Sequence, residues 1–525
     1  MVGEALLGRA AGGSLDAMPE MEIPLNIANS VTAWARATPE APAILTPEGA
    51  LSYAELDRAV AWSADSFRKA GLEPGTIVAV RLANKPQHML AALALFRLGV
   101  GHIAFAEDVP VEVQHDLTRH LGIVAMVADS SDAGPTEGRI VAPPPGGIDD
   151  IGKLPSVDFP AVCDAALPCL LTTTSGTGGV PKVGLVTQGL LQKRLRYWNH
   201  GLPGVPKMRL LPMPAMSFPG AKVYALSALV VGGCMALVDG RTVVADLIAF
   251  IKEHRINHIF GAPIHAQSMI RMARQGELLL PDLDVFRLGT AVIPETLRRE
   301  IQERLTPNFF VSYGSSENGV ITLADTSLMR EIPGVVGYPL PDVEIEVIDD
   351  ADRPLPPGEV GRIRLRSGGM IDGYLDSSGE SAAAFRDGWL YPGDLGEFTP
   401  DGALIHYGRA DDMMIRDGIN IYPAEIENAL LRHPAVVEVA AFPVKHRRRG
   451  DLPVAAVVTN AEVSSDELLG HCRSWLGAKS PAGIMTVDKL PRNANGKVLK
   501  KELETQYLKA QPGAVSAVRA RVRPD

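Results

Sequence analysis

Apolar positions recur along this chain with two periods, and the period changes once on the way. From about residue 23 to about 340, a three-to-four-residue spacing predicts helices over Leu56–Ala70 and Gln87–Leu98. Short apolar runs over Thr76–Leu82 and Ile123–Val127 predict strands between them. Helices alternating with strands read as α/β layers on mostly parallel sheets. The apolar run Val223–Val238 lies between Lys222 and Asp239 and is broken by Gly232-Gly233. It is too short to span a bilayer, and it predicts a buried helix, a turn and a strand. Between 341 and 410 the period becomes two, in VEIEVID and GRIRLRS, with Gly/Pro turns between: an antiparallel β-subdomain. Past 411 a smaller α+β unit is expected, with helices over 424–433 and 465–476 and strands over 436–444 and 452–460. The expected organisation is a loosely ordered stretch 1–22, a large N-terminal domain 23–410, a small mobile C-terminal domain 411–508 and a tail 509–525.

Composition narrows the function classes. The 525 residues are 46% hydrophobic and 21% charged, with a net charge of −10, which suits a soluble globular protein and disfavours nucleic acid or anionic membrane as the main partner. The four cysteines, Cys163, Cys169, Cys234 and Cys472, form no CxxC pair, so neither a disulfide frame nor a structural zinc site is expected, and a cytoplasmic location fits. The N-terminus lacks the apolar core of a secretory leader.

The segment Leu170–Lys182, LLTTTSGTGGVPK, carries the most chemistry. Its glycines free backbone N–H groups to converge on one point, and its hydroxyls and Lys182 add donors and positive charge, a combination suited to polyphosphate. It lacks the GxxxxGK[ST] spacing of a Walker loop; a flexible surface loop is the plainer reading. This segment resembles the TSGTTGxPKG loop of the adenylate-forming superfamily, of the acyl-CoA synthetase type. Five further segments match that family in the same order: Tyr313-Gly314-Ser315-Ser316-Glu317, Gly358–Gly361 through Gly373-Tyr374, Gly393-Asp394, Gly408–Asp411, and Pro491–Lys497. Together the similarity spans roughly residues 25 to 505.

The resemblance implies roles. Thr174, Ser175, Gly176, Thr177, Gly178, Gly179 and Lys182 would cradle the phosphates of ATP. Glu317 would hold Mg2+, Ser316 would contact the α-phosphate, and Tyr313-Gly314 would lie against the adenine. Asp394 would bind the ribose, with Arg409 on the ribose or phosphate. Lys497 would bridge the substrate carboxylate and the phosphate during adenylation, and Asp411 would be the hinge of a rotating small domain. The chemistry requires such groups, because a carboxylate must attack the phosphate of a polyanion and the site must offset that repulsion. The implied acyl pocket involves Phe218, Pro219, Gly220 and Val223, Phe260 to Pro263, and Gly289 and Thr290. Coenzyme A would meet Gly418, Arg447 and Arg448, although a basic loop at 445–449 also reads as a solvated turn.

Departures from the family pattern are informative. Pro219 stands where peptide-synthetase domains carry the Asp that pairs with an α-amino group, which disfavours an α-amino acid. Pro212–Ala215 lacks a His that many CoA ligases carry there. Val183 and Gln188 replace a frequent Gly and His, and Arg416-Asp417 replaces a small-residue pair near the thiol channel. Lys222 reads either as solvent-facing or as a partner for a second acidic group on the substrate. The expected activity is ATP-dependent formation of an acyl-adenylate from a small carboxylic acid, then transfer to CoA. Loading of a carrier protein's thiol and a non-catalytic nucleotide-binding role are the alternatives.

Overall fold

The structure is a computed structural model that describes residues 23–106, 109–129, 139–174, 182–289, 293–375, 378–417, 419–446, 449–492 and 498–510. Among these residues three sheets form. The first has six strands in the spatial order Arg139–Val141, Ala125–Ala128, Ile77–Arg81, Gly101–Ala104, Pro168–Thr174 and Lys182–Thr187. Neighbours are parallel except the last pair, which is an antiparallel hairpin with Thr174 opposite Lys182. The phosphate-loop segment therefore joins two paired strands, and it is not the strand-to-helix turn of a Walker loop.

Inside an antiparallel edge strand, Gly49–Ser52, the second sheet has six parallel strands: Pro42–Thr46, Cys234–Ala236, Arg209–Pro212, His258–Gly261, Val285–Leu288 and Phe309–Ser315. It then turns antiparallel through Gly319–Ala324 and Val335–Pro339 and runs on into Leu404–Arg409, Asp394–Phe398, Gly361–Ser367 and Val343–Ile348. The antiparallel extension thus starts at Gly319, earlier than the change of hydrophobic period at 341, because the first two of these strands have no exposed position and do not alternate. The remaining sheet lies after Met414, around the long hairpin Val436–His446 and Gly450–Thr459. It is covered by the helices Pro423–Leu430 and Ser465–Leu476, which bury Ile426, Leu430, Leu468 and Cys472.

Local signals explain the helices between the layers. Tyr53–Lys69 starts on a capping box, with Ser52 Oγ accepting from the Glu55 amide and Glu55 Oε2 accepting from the Ser52 amide at 2.8 Å. Lys85–Leu98 starts after Asn84, whose side chain caps the Gln87 amide, and stops at Gly99 in the left-handed region. The run read as helix, turn and strand is helix Pro219–Val230, a turn at Gly232, and strand Cys234–Ala236. Gly232 has φ +72°, and a Cβ there would fall 2.6 Å from the Trp34 ring, so only glycine makes this turn. No helix among the described residues is long and apolar enough to cross a membrane.

Helix Pro219–Val230 buries every residue from Ala221 to Val230, because it is packed on both sides. One side carries Lys222, whose Nζ lies 2.8 Å from His102 Nε2 in the first sheet. The other carries Tyr224, packed edge-on against Phe260 of the second sheet with ring centroids 5.2 Å apart. Lys222 is fully buried, which corrects the solvent-facing reading. Its neighbours are His102, His88 and Cys169, and burial pushes its pKa down to about 7.

Candidate active site

The hairpin Phe309–Ser315 and Gly319–Ala324 closes with Ser315 opposite Gly319, which puts Ser316, Glu317 and Asn318 at its tip. Gly319 turns the chain at φ +86°, and a Cβ on Gly314 would fall 2.5 Å from the Gly319 carbonyl oxygen. Both glycines are therefore required for the tip. Three contacts hold Glu317. Its backbone carbonyl accepts from Ile371 N at 2.9 Å and from Arg194 Nη2 at 2.6 Å. Its Oε1 accepts from the Tyr374 hydroxyl at 2.6 Å. Arg194 also donates to the Gly369 carbonyl at 2.8 Å, so one buried guanidinium ties the tip to the chain entering Tyr374.

Tyr374 reaches in the opposite direction as well. It forms an isolated bridge with Gly184, and the amide of Leu375 donates to Val183 at 2.9 Å. The Lys182 ammonium lies 5.3 Å from the Tyr374 ring centroid, a cation–π distance. One tyrosine thus links the phosphate-loop lysine with the hairpin-tip carboxylate, although Lys182 and Glu317 come from different sheets.

A second group forms around Asp394. The Tyr313 hydroxyl donates to Asp394 Oδ2 at 2.6 Å, and Arg409 Nη1 lies 3.7 Å from Oδ1. His406 Nε2 is 3.8 Å from Oδ1, and its ring is tilted against Tyr313 with centroids 5.0 Å apart. Burial alone would raise the Asp394 carboxyl, but His406, the Tyr313 hydroxyl and Arg409 hold it below the ordinary carboxylate range. A bulge makes this cluster possible. Asp394 pairs with Arg409 while Gly396 pairs with His406, leaving one extra residue in the second strand. His406 and Arg409, three apart, therefore share a face that strict alternation would deny them. Arg409 Nε also donates to Asp411 at 3.1 Å.

Phe218 caps the helix Pro219–Val230, whose first residues are Pro219 and Gly220, with Val223 buried one turn on. Gly289 follows the strand Val285–Leu288; a Cβ there would lie 3.2 Å from Ser312 Oγ and 3.8 Å from Phe260 Cε2. These acyl-pocket candidates therefore come from one helix and from the adjoining edge of the second sheet. In the small C-terminal unit, Arg416 is buried and donates to the Ser480 carbonyl at 2.8 Å, while Asp417 accepts from Arg449 Nε at 2.9 Å. Lys445 pairs with Asp451 at 2.6 Å. Residues Ser175 to Gly179, Thr290, Gly418, Arg447, Arg448 and Lys497 lie outside the described residues. The flanks of Lys497 are described: Arg492 bridges to Val498, and Lys500 sits 3.7 Å from both Asp412 and Glu427.

A family model for AMP-binding enzymes matches residues 31–375, and one for the AMP-binding enzyme C-terminal domain matches 425–497. The chain belongs to the AMP-binding enzyme family. A feruloyl-CoA synthase of an Amycolatopsis species is 31% identical over 497 residues, covering 90% of this chain and 97% of that protein. A 2-succinylbenzoate–CoA ligase of Bacillus subtilis is 28% identical over 484 residues, covering 90% and 96%. The solved structure of the o-succinylbenzoate CoA synthetase from Bacillus subtilis with its acyl-adenylate intermediate superposes with a TM-score of 0.80 at 26% identity, covering 91% of this chain and 98% of that one. The same synthetase has also been solved with ATP and magnesium ion.

The residues of this AMP-binding enzyme fit those groups. No cluster of three or more potential metal ligands occurs among the described residues. A Mg2+ held mainly by phosphate oxygens needs only one or two protein carboxylates. Glu317 offers one, oriented through Oε1 and with Oε2 carrying no partner among the described residues. At the other cluster, His406 Nε2 faces Asp394 Oδ1 across 3.8 Å, too far for a direct hydrogen bond. Three residues of these clusters were missed by motif reading. Tyr374 lies inside a matched segment that carried no role, His406 depends on the bulge, and Arg194 has no motif at all.

Proposed function

We infer that this AMP-binding enzyme is an AMP-forming carboxylate–CoA ligase, working through an acyl-adenylate. The observation that carries the reading is the Lys182–Tyr374–Glu317 linkage, with the Tyr313–Asp394–Arg409 cluster joined to it through the hairpin that carries both Tyr313 and Glu317. In this reading Tyr313 and Asp394 hold the nucleoside, and Lys182 faces the phosphates. Glu317 carries the Mg2+, which neutralises phosphate charge when bound. Lys497 approaches from the small C-terminal unit to steady the incoming carboxylate. Arg416 is turned inward against Ser480, and Asp417 is neutralised by Arg449; this supports a thiol route past the pair that replaces two small residues. The named relatives act on aryl and aryl-substituted acids, which supports a carboxylic acid of that size; Pro219 in place of an acidic residue disfavours amino acids.

The test is acid-dependent exchange of labelled pyrophosphate into ATP, which reports adenylation whatever the acyl acceptor. Exchange that requires both a carboxylic acid and Mg2+ is expected. Hydrolysis of ATP without exchange for every acid in a broad aliphatic and aryl panel would contradict acyl-adenylate formation.

A further inference from the structure

Arg287 is among the largest fully buried side chains of the molecule, at 1% exposure, and no acidic group pairs with it among the described residues. Its hydrogen-bond partners are neutral: Nε donates to Ser312 Oγ at 3.0 Å and Nη1 to the Trp198 carbonyl at 3.1 Å. The guanidinium faces the rings of Trp198 and Tyr224, 5.6 and 5.2 Å from their centroids. Trp198 Nε1 is buried with no partner, and the Tyr224 hydroxyl, within reach of the Arg287 guanidinium, donates to no acceptor among the described residues. Two donors in search of an acceptor thus sit around a cation in search of an anion. Aromatic faces offset part of the cost of a buried charge, but they satisfy none of these N–H and O–H groups.

The location gives this deficit a use. Arg287 is paired with Phe260 in the next strand and stands two residues before Gly289 on the same face. Its Nε reaches Ser312, the neighbour of Tyr313. The cluster therefore lies beneath the acyl-pocket candidates, on the side of helix Pro219–Val230 that carries Tyr224. Lys222, considered from sequence for a second acidic group, lies on the opposite side and is engaged by His102.

We propose that Arg287, with the Trp198 N–H and the Tyr224 hydroxyl, is a specificity subsite that receives a second carboxylate carried by the substrate acid, remote from the one that is activated. The inference rests on the acid-activating reading above. The enzyme would then select dicarboxylic acids over monocarboxylic acids of equal skeleton, since a site built to hydrogen-bond a group rejects an analogue that lacks it.

The experiment measures kcat/KM of pyrophosphate exchange for matched pairs of acids, aliphatic and aryl, each pair differing only in a distal carboxylate. Titration of the same acids against tryptophan fluorescence, without ATP, accompanies it. Wild type is expected to favour the diacid of its best pair by about 10-fold or more. Arg287→Met should lose that preference mainly through KM, and Arg287→Lys should keep part of it. Because the wild-type panel needs no substitution, the result stands even where Arg287→Met does not fold. Exchange with no diacid preference in any pair overturns the subsite and leaves the acid-activating reading intact. Diacid-specific quenching that Arg287→Lys weakens, without exchange for any acid, supports the subsite and overturns that reading. Neither exchange nor quenching with any diacid overturns the subsite.

Discussion

Tyr374 is the residue on which the two halves of the proposed phosphate site depend. Its hydroxyl fixes one oxygen of Glu317, and its ring underlies Lys182. A hydrogen bond to a charged group contributes roughly 1.5–3 kcal/mol, so losing it in Tyr374→Phe should lower kcat/KM of adenylation by about 10-fold or more. The Mg2+ concentration for half-maximal rate should rise in parallel, because Glu317 is then free to turn away. Thermal stability should change little, since the ring and its packing against Phe385 are retained. A Tyr374→Phe enzyme with wild-type rate and wild-type Mg2+ dependence would contradict this role. The contact is invisible in the sequence: Tyr374 and Glu317 are 57 positions apart, and a tyrosine in a glycine-rich segment reads equally well as a surface turn. The segment that carries Glu317 was legible because Tyr313-Gly314-Ser315-Ser316-Glu317 is one contiguous motif.

At the level of elements, the helix Pro219–Val230 shows what periodicity can and cannot convey. Its apolar run and the Gly232-Gly233 break predict helix, turn and strand correctly, because every position from Ala221 to Val230 is buried and only glycine fits beside Trp34. Burial on both sides, however, removes the polar face that would have located Lys222. In the unfolded chain Lys222 holds its proton up to about pH 10.4, whereas burial in the folded protein pushes its pKa down to about 7. Between those two values the unfolded chain binds the extra proton, so Lys222 makes stability rise with pH across that window. Urea unfolding of wild type should therefore show a stability gain from pH 7 to 9.5 that Lys222→Met lacks, at most about 1.4 kcal/mol per pH unit. Superimposable pH profiles for the two proteins would show that Lys222 keeps its proton in the folded state. The hairpin Phe309–Ser315 and Gly319–Ala324 makes a second prediction. In Gly314→Ala the new methyl group meets the Gly319 carbonyl oxygen, a backbone atom 2.5 Å away, so the tip must open. Adenylation should fall by at least about 100-fold, with Glu317 displaced, for a stability loss of only about 1–3 kcal/mol. An active Gly314→Ala enzyme would mean that the tip geometry is dispensable.

Across the whole molecule, the six motifs were legible because each is a short contiguous segment. The clusters they form were not, since Lys182, Glu317 and Asp394 lie on two sheets and on the antiparallel extension of one of them. In the proposed reaction the small C-terminal unit would contribute Lys497, flanked by the Arg492–Val498 bridge and by Lys500 beside Asp412. A cation delivered by a separate unit can serve one half-reaction and be absent from the other. Lys497→Ala should therefore abolish pyrophosphate exchange while largely sparing transfer from a supplied acyl-adenylate to CoA. Equal loss of both steps would contradict that division of labour. The central claim, activation of an acid as its adenylate followed by transfer to CoA, is tested most directly by mass spectrometry of the products from ATP, Mg2+ and a panel of carboxylic acids, with and without CoA. The expected result is acyl-adenylate without CoA, and acyl-CoA with one AMP per turnover when CoA is present. Acyl-adenylate that persists unchanged in the presence of CoA would contradict the ligase assignment and move the acceptor to a carrier-protein thiol.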